Sequence, residues 1–274
     1  NLLTYEATFG KHKVSALAGY SYQDTRYRYL YGYGKGMTSG IQEIDGASEG
    51  LTTSGNTSRS VLTSLLGRVF YSFDNRYLVT ATIRRDGSSK FGSNYRYGNF
   101  PSASVGWNVA EERFVKDKVD WLDQLKIRAG YGVLGNQEID DYQYSSVITT
   151  GINYPDGNGG VINGAFPKYF ANPDIHWEET AMTNVGIDFL ALGNRLSLTA
   201  DWYVKNTKDI LLQVPIPIST GAANDPVKNA GKIRNKGFEF NLGWNDHPTK
   251  DIRYSVNLIG TFNKNEVVEM GNES

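Results

Sequence analysis

Residues 68–83 read Arg68-Val69-Phe70-Tyr71-Ser72-Phe73-Asp74-Asn75-Arg76-Tyr77-Leu78-Val79-Thr80-Ala81-Thr82-Ile83. Val69, Tyr71 and Phe73, then Tyr77, Val79, Ala81 and Ile83, recur at every second position, while Arg68, Ser72, Thr80, Thr82 and Arg84 occupy the alternate ones. A period of two is that of a β-strand, whose successive side chains point to opposite faces. Asp74-Asn75 between the two runs is turn chemistry, so the stretch predicts a hairpin with one apolar and one polar face.

The same alternation recurs about ten times along the chain. Leu3, Tyr5, Ala7 and Phe9 oppose Thr4, Glu6 and Thr8, and after Gly10-Lys11-His12 a second strand carries Val14, Ala16, Ala18, Tyr20 and Tyr22. Further runs are Pro101 to Val109, Leu125 to Val133, Ala181 to Phe189, Leu196 to Val204, Phe238 to Trp244 and Tyr254 to Phe262. Each is about the length of a tilted strand crossing a membrane. The connections near 10–12, 74–75, 190–194 and 245–251 are short, and 110–124 is moderate, with a helical turn expected at Glu111–Lys116. Those at 23–61, 85–98, 134–180 and 206–232 read as long loops rich in Gly, Asn, Asp and Tyr.

Short turns on one side and long loops on the other are the asymmetry of an outer-membrane barrel, with the long loops outside the cell. Apolar-face aromatics should then gather at strand ends. Phe9, Tyr71, Phe73, Tyr77, Trp107, Phe189, Trp244 and Tyr254 fall on the short-turn side, and Tyr5, Tyr20, Tyr22, Tyr131, Trp202, Phe238 and Phe262 on the long-loop side. Aliphatic residues such as Val79, Val105, Ile127, Val185 and Leu198 lie between, although Phe240 intrudes. A soluble β-sandwich or solenoid whose apolar faces meet each other is the competing reading, disfavoured because such large one-sided loops are uncommon in compact domains.

Composition sets outer bounds. In 274 residues no apolar run reaches the ~18 residues of a membrane helix. A hydrophobic fraction of 39% is compatible with a barrel, since half of each strand faces a polar lumen. A net charge of −1 argues against nucleic acid as a partner, and the absence of cysteine excludes disulfides and thiolate metal sites. The opening Asn1-Leu2-Leu3-Thr4 has neither an initiator methionine nor a signal peptide, so a processed or excised piece is expected.

Arg84-Arg85-Asp86-Gly87-Ser88-Ser89-Lys90-Phe91-Gly92, followed by Arg96-Tyr97-Gly98-Asn99-Phe100-Pro101-Ser102 and Gly106-Trp107, resembles the signature of SusC/RagA-like TonB-dependent transporters. Trp121–Lys126 with Gly135-Asn136, Asn172-Pro173-Asp174-Ile175-His176-Trp177-Glu178, Asn184–Phe189, Asp201-Trp202-Tyr203, Pro215-Ile216-Pro217, Asn235–Glu239 and Asn263–Val267 continue it in order across residues 60–267. The resemblance implies an all-β chain, an antiparallel transmembrane β-barrel segment of about ten strands spanning 1–274, taken from a larger, 22-stranded wall in a Gram-negative outer membrane of the Bacteroidota. A plug domain and the TonB-contacting segment would lie in sequence outside it. It further implies import of an oligosaccharide or peptide, a SusD-like surface lipoprotein as partner, contact with outer-membrane lipids, and no cofactor or covalent chemistry. A barrel that only displays loops for adhesion is the alternative.

Candidate site residues follow from strand parity. Tyr27, Tyr29, Tyr31 and Tyr33 continue the lumen-facing side of the second strand outward, where rings could stack on substrate unless a bulge reverses the parity. Arg68, Arg84, Lys126, Arg128, Arg195 and Lys205, with Glu6, Asp188, Asp201 and Glu239, form a charged lumen row suited to tuning a polar path or holding a plug. Asp86, Gly87, Ser88, Phe91, Gly92 and Trp107 read as architectural, with Gly87, Gly92 and Gly98 expected at positive φ. His12, His176 and His247 are too scattered for a metal site, and Asp156–Gly160 lacks the ligand series of a calcium loop.

Overall fold

A computed structural model describes residues 1–37, 40, 43–221 and 224–270, so parts of the expected long loops at 38–39, 41–42 and 222–223, and the terminal 271–274, lie outside the described residues. The main sheet holds ten antiparallel strands: β1 (Leu2–Phe9), β2 (His12–Met37), β3 (Ala47–Phe73), β4 (Tyr77–Ser88), β5 (Tyr97–Asn108), β6 (Leu122–Asn136), β9 (Glu178–Ala191), β10 (Leu196–Lys208), β13 (Lys232–Asp246) and β14 (Tyr254–Glu269). Two small hairpins, β7 (Val147–Pro155) with β8 (Val161–Tyr169) and β11 (Leu211–Gln213) with β12 (Val227–Asn229), form separate two-stranded sheets. Strands of the main sheet pair in chain order, a plain meander with β1 and β14 at its two edges.

Register is the informative feature. Following cross-strand partners through all ten strands gives the row Ala7, Val14, Tyr71, Val79, Val105, Ala129, Val185, Trp202, Phe238, Phe262. Every member is apolar. The adjacent row, one residue along, reads Thr8, Lys13, Ser72, Leu78, Gly106, Arg128, Gly186, Asp201, Glu239, Thr261. Apart from Leu78 these are small, polar or charged, so the sheet has one continuous apolar face and one continuous polar face. In the main sheet, register shifts occur only near strand ends, at Tyr33/Lys35, Leu122/Gln124 and Lys232/Ile233.

Among the described residues nothing covers the apolar face: Val105 is 53% exposed, Trp202 48% and Phe262 67%. On β13 its outward positions run apolar from Phe238 to Trp244 and are bounded by Lys236 and Asp246. Ten residues at about 3.4 Å each, tilted by roughly 40°, give a height of about 26 Å between those charges, close to the apolar band of a membrane barrel. The row also drifts along the strands, from two residues before the end of β1 to eight residues after the start of β14. A stagger of constant sense is what tilted barrel strands require.

Turns at the short end fix the register. Asp74 and Asn75 have φ of 53° and 55° and the Arg76 amide donates to the Phe73 carbonyl, a two-residue turn whose twist suits a hairpin. At the far end the expected loops differ from their sequence reading. Most of 23–61 is strand, because β2 and β3 continue as a paired arm beyond the sheet. The segments 134–180 and 206–232 contain the β7–β8 and β11–β12 hairpins. Among the described residues no helix is long and apolar enough to cross a membrane. A short helix, α1 (Arg113–Lys116), sits after a 3-10 turn at Val109–Glu111, where a helical turn was expected.

Arginine at Val105, central on the apolar face, is expected to lower stability in a bilayer by about 2–4 kcal/mol, and at Ser104, on the polar face, by under about 1 kcal/mol. Urea unfolding of both variants checks this; equal costs would show that the faces are not distinct.

Candidate functional site: the polar face and the outer mouth

The polar face gathers three of the predicted lumen residues from three strands. Arg128 on β6 donates to both carboxylate oxygens of Asp201 on β10, at 2.7 and 2.6 Å, and its Nε reaches Asp188 on β9 at 3.2 Å. Arg128 and Asp201 are not on neighbouring strands, since Gly186 of β9 lies between them in the same row. A Cβ there would stand 2.5 Å from Asp201 and 2.7 Å from the Arg128 guanidinium carbon. Gly186 therefore provides the saddle over which the guanidinium crosses. Two-pronged Arg–carboxylate pairing fixes both direction and distance, so the three strands are tied as a unit.

The other lumen candidates stand apart from this triad. Arg68 donates to Thr82 Oγ1 at 3.3 Å, Arg84 bonds Asp86 at 2.7 Å and Ser64 at 3.3 Å, and Arg195 pairs with Asp246 at 3.4 Å at the short-turn end. Lys126 is the cross-strand partner of Asp188 and Glu239 that of Asp201. Among the described residues Lys126, Lys205, Glu6 and Glu239 form no ion pair.

At the long-loop end the signature residues build a small dry core. Phe91 and Ile175 are fully buried and Trp177 is 5% exposed, with Phe100 closing the cluster. The Trp177 ring lies 5.1 Å from Phe91 and 5.3 Å, edge-on, from Phe100, and its indole N–H donates to the Arg96 carbonyl at 3.2 Å. Ser88 accepts from the Lys90 amide at 3.1 Å and Lys90 Nζ donates to the Ile139 carbonyl at 2.7 Å. Asn229 then ties in the β11–β12 hairpin, with its amide donating to the carbonyls of His176 and Asp209.

The expectation of positive φ at Gly87, Gly92 and Gly98 is corrected: none of the three lies in the left-handed region. They are needed for close approach instead. A Cβ on Gly87 would meet the Tyr97 ring at 2.4 Å, and one on Gly98 the Phe100 ring at 2.4 Å. Trp107 belongs to the opposite end of the sheet from Asp86, Ser88 and Phe91. There its indole N–H donates to Glu112 at 3.1 Å, beside the Tyr77 hydroxyl at 2.6 Å and Arg76 at 2.8 Å. Sequence reading placed Glu112 only in an expected helical turn and missed this knot. The Tyr77 hydroxyl first, then Trp107 and Arg76, hold the Glu112 carboxyl below the usual carboxylate range.

The tyrosines sit on the free-standing arm. Register is unbroken from His12 to Tyr33, so Tyr27, Tyr29, Tyr31 and Tyr33 share the side of the polar rows, facing Ser58, Asn56, Ser54 and Thr52 across the hairpin. They are 61%, 42%, 42% and 42% exposed. Such an exposed ladder of rings flanked by hydroxyls and an amide offers stacking faces with hydrogen-bonding groups alongside. Asp156 Oδ1 accepts from the amides of Asn158 and Gly160 at 2.8 Å each, capping its own turn. Among the described residues no cluster of three or more His, Cys, Asp or Glu side chains could hold a metal ion.

A family profile described as TonB dependent receptor-like, beta-barrel matches residues 1–272. TonB-dependent receptor P39 of Formosa agariphila is 36% identical over all of this chain and 26% of its own length. TonB-dependent receptor SusC of Bacteroides thetaiotaomicron is 37% identical over 86% of the chain and 24% of its own. A solved structure of the RagAB peptide transporter superposes with a TM-score of 0.88 at 26% identity, over 98% of this chain and 30% of that one. The chain thus spans about a quarter of the curated relatives' length.

Gly186→Val should displace the guanidinium and cost about 1.5–3 kcal/mol, the range for charge-assisted hydrogen bonds. In an Asp201→Asn background the added cost should fall below about 1 kcal/mol, and an unchanged cost in that cycle would remove the saddle. Because the Glu112 carboxyl is depressed, its contribution is complete above the ordinary value of about 4.3 and is lost as pH falls through the folded value. Glu112→Gln is therefore expected to destabilise at pH 7 with a difference that vanishes in acid; a difference constant down to about pH 2 would contradict it.

Proposed function

The chain belongs to the TonB dependent receptor-like, beta-barrel family, and from that premise we propose that it forms part of the wall and outer mouth of an outer-membrane transporter importing oligosaccharide or peptide. The carrying observation is the two-faced register: an uncovered apolar band on one side and a charged, glycine-stepped surface on the other. Set in a bilayer, the first face meets lipid and the second lines a water-filled lumen or plug. The edges of β1 and β14 then need partner strands, because unpaired backbone groups cost several kcal/mol each in hydrocarbon. Further barrel strands would supply those partners.

Likeness to SusC and to the RagAB peptide transporter supports a nutrient of oligosaccharide or peptide type. A SusD-like surface lipoprotein would cover the long-loop end, and TonB would act through a segment outside these residues. The chemistry is capture and passage, without covalent change. In this scheme Tyr27, Tyr29, Tyr31 and Tyr33 meet the substrate above the mouth, the core around Phe91 and Trp177 holds the mouth rigid, and the Arg128–Asp188–Asp201 triad faces the plug.

In the complete transporter, Tyr29→Ala with Tyr31→Ala should weaken substrate binding about fivefold or more, as loss of stacking worth about 0.5–1.5 kcal/mol per ring implies. Titration calorimetry with oligosaccharide and peptide mixtures reads the change. Unaltered affinity would remove the tyrosines from the site, and tight binding without any uptake by the intact protein would favour a loop-displaying adhesion barrel instead.

A further inference from the structure

On the apolar face, the row Trp202, Phe238, Phe262 is followed two residues outward by Val204, Lys236 and Lys264. Lys236 and Lys264 are direct cross-strand partners, both exposed. Two like charges placed opposite each other on a sheet repel. Among the described residues neither lysine has an ion-pair partner. Glu266, the next carboxylate outward on that face, is in register with Arg234.

The same face shows how this chain treats such a clash elsewhere. Arg26 and Arg59 are also cross-strand partners near the long-loop end, but Asp24 lies beside them, bonded to Arg59 through two 2.9 Å contacts and 3.7 Å from Arg26. For the arginines the counter-ion is internal. Among the described residues, Lys236 and Lys264 have no counterpart of Asp24.

We propose that the lysine pair binds the phosphates of an anionic glycolipid headgroup in the outer leaflet. This rests on the membrane-wall reading above. Two residues of advance along strands tilted by roughly 40° raise Lys236 and Lys264 about 5 Å above the aromatic row. Aromatic rings settle at the hydrocarbon–headgroup boundary, so the lysines stand at headgroup depth while Phe238 and Phe262 contact acyl chains. A bidentate phosphate would turn the repulsion into a clamp across β13 and β14.

The test uses the complete transporter purified from outer membrane in mild detergent. Bound phosphorylated lipid is counted by native mass spectrometry, with heat-modifiable gel migration as the check on folding. K236Q/K264Q should retain at least about fivefold less lipid, while K236R/K264R and, at the other end, K11Q should match the parent. On the unmodified, delipidated protein, bisphosphorylated lipid A should rebind at least about tenfold more tightly than its dephosphorylated form. Equal retention in K236Q/K264Q, or equal rebinding of the two lipids, overturns the proposal. So does loss of a co-purifying protein at constant lipid content, which would assign the pair to a protein partner. A nitroxide at Leu242→Cys separates the two levels: a label accessible to oxygen with unchanged lipid sinks the lysine site alone, whereas a water-exposed label sinks the wall reading with it.

Discussion

Side chains on a strand alternate with a period of two, so one slipped residue anywhere between Ala7 and Phe262 would turn every later side chain to the wrong face. The ten-strand apolar row therefore depends on nine correct pairings in succession. Local turn chemistry secures several of them. Asp74 and Asn75 accept the positive φ that a tight hairpin demands, and Gly10 does the same between β1 and β2. Irregularities are confined to strand ends, where a slip changes a loop and leaves the wall intact.

Given that register, the two faces are held by different means. Among the described residues nothing packs on the apolar face. Its short-turn aromatics turn their polar tips toward the turns: Tyr71 to His12, Tyr77 and Trp107 to Glu112, Trp244 to Tyr254. An amphipathic ring at a boundary gains from both sides only in that orientation. The polar face instead is stitched laterally. Long side chains cross a glycine to reach the second strand away, as Arg128 does over Gly186 and as Tyr203 does over Gly237 to reach Asn263 at 3.4 Å.

Strand positions and faces were legible in the sequence because each is a local property: Val79 and Thr80 declare their sides by chemistry alone. Beyond residue 22 that signal stops, since Thr25, Tyr27, Ser58 and Ser60 all meet water and nothing distinguishes a solvated arm from a loop. The Glu112 knot was invisible for a different reason, as its partners Arg76 and Tyr77 are 36 and 35 residues away and meet it only through pairing of β4 with β5. Glycine roles were misread because sequence cannot tell a left-handed residue from one lying beneath a ring. The triad shows the same limit: the charges on Arg128, Asp188 and Asp201 were plain, but their convergence needed the register that places Gly186 between two of them.

The outer mouth follows neither rule of the wall. Its dry core is assembled from Phe91, Phe100, Ile175 and Trp177, which belong to loops or strand ends and show no period. Buried loop backbone must find hydrogen-bond partners, and here Arg96, Ile139, His176 and Asp209 all have their carbonyls answered by side chains. That satisfaction explains why the signature stretch is rich in polar and small residues around so few apolar ones. It also divides the mouth physically: a cross-linked plinth over β4, β5, β6 and β9 stands beside an arm whose two strands hold mainly each other. The tyrosine ladder lies on the side of the arm that continues the polar face below.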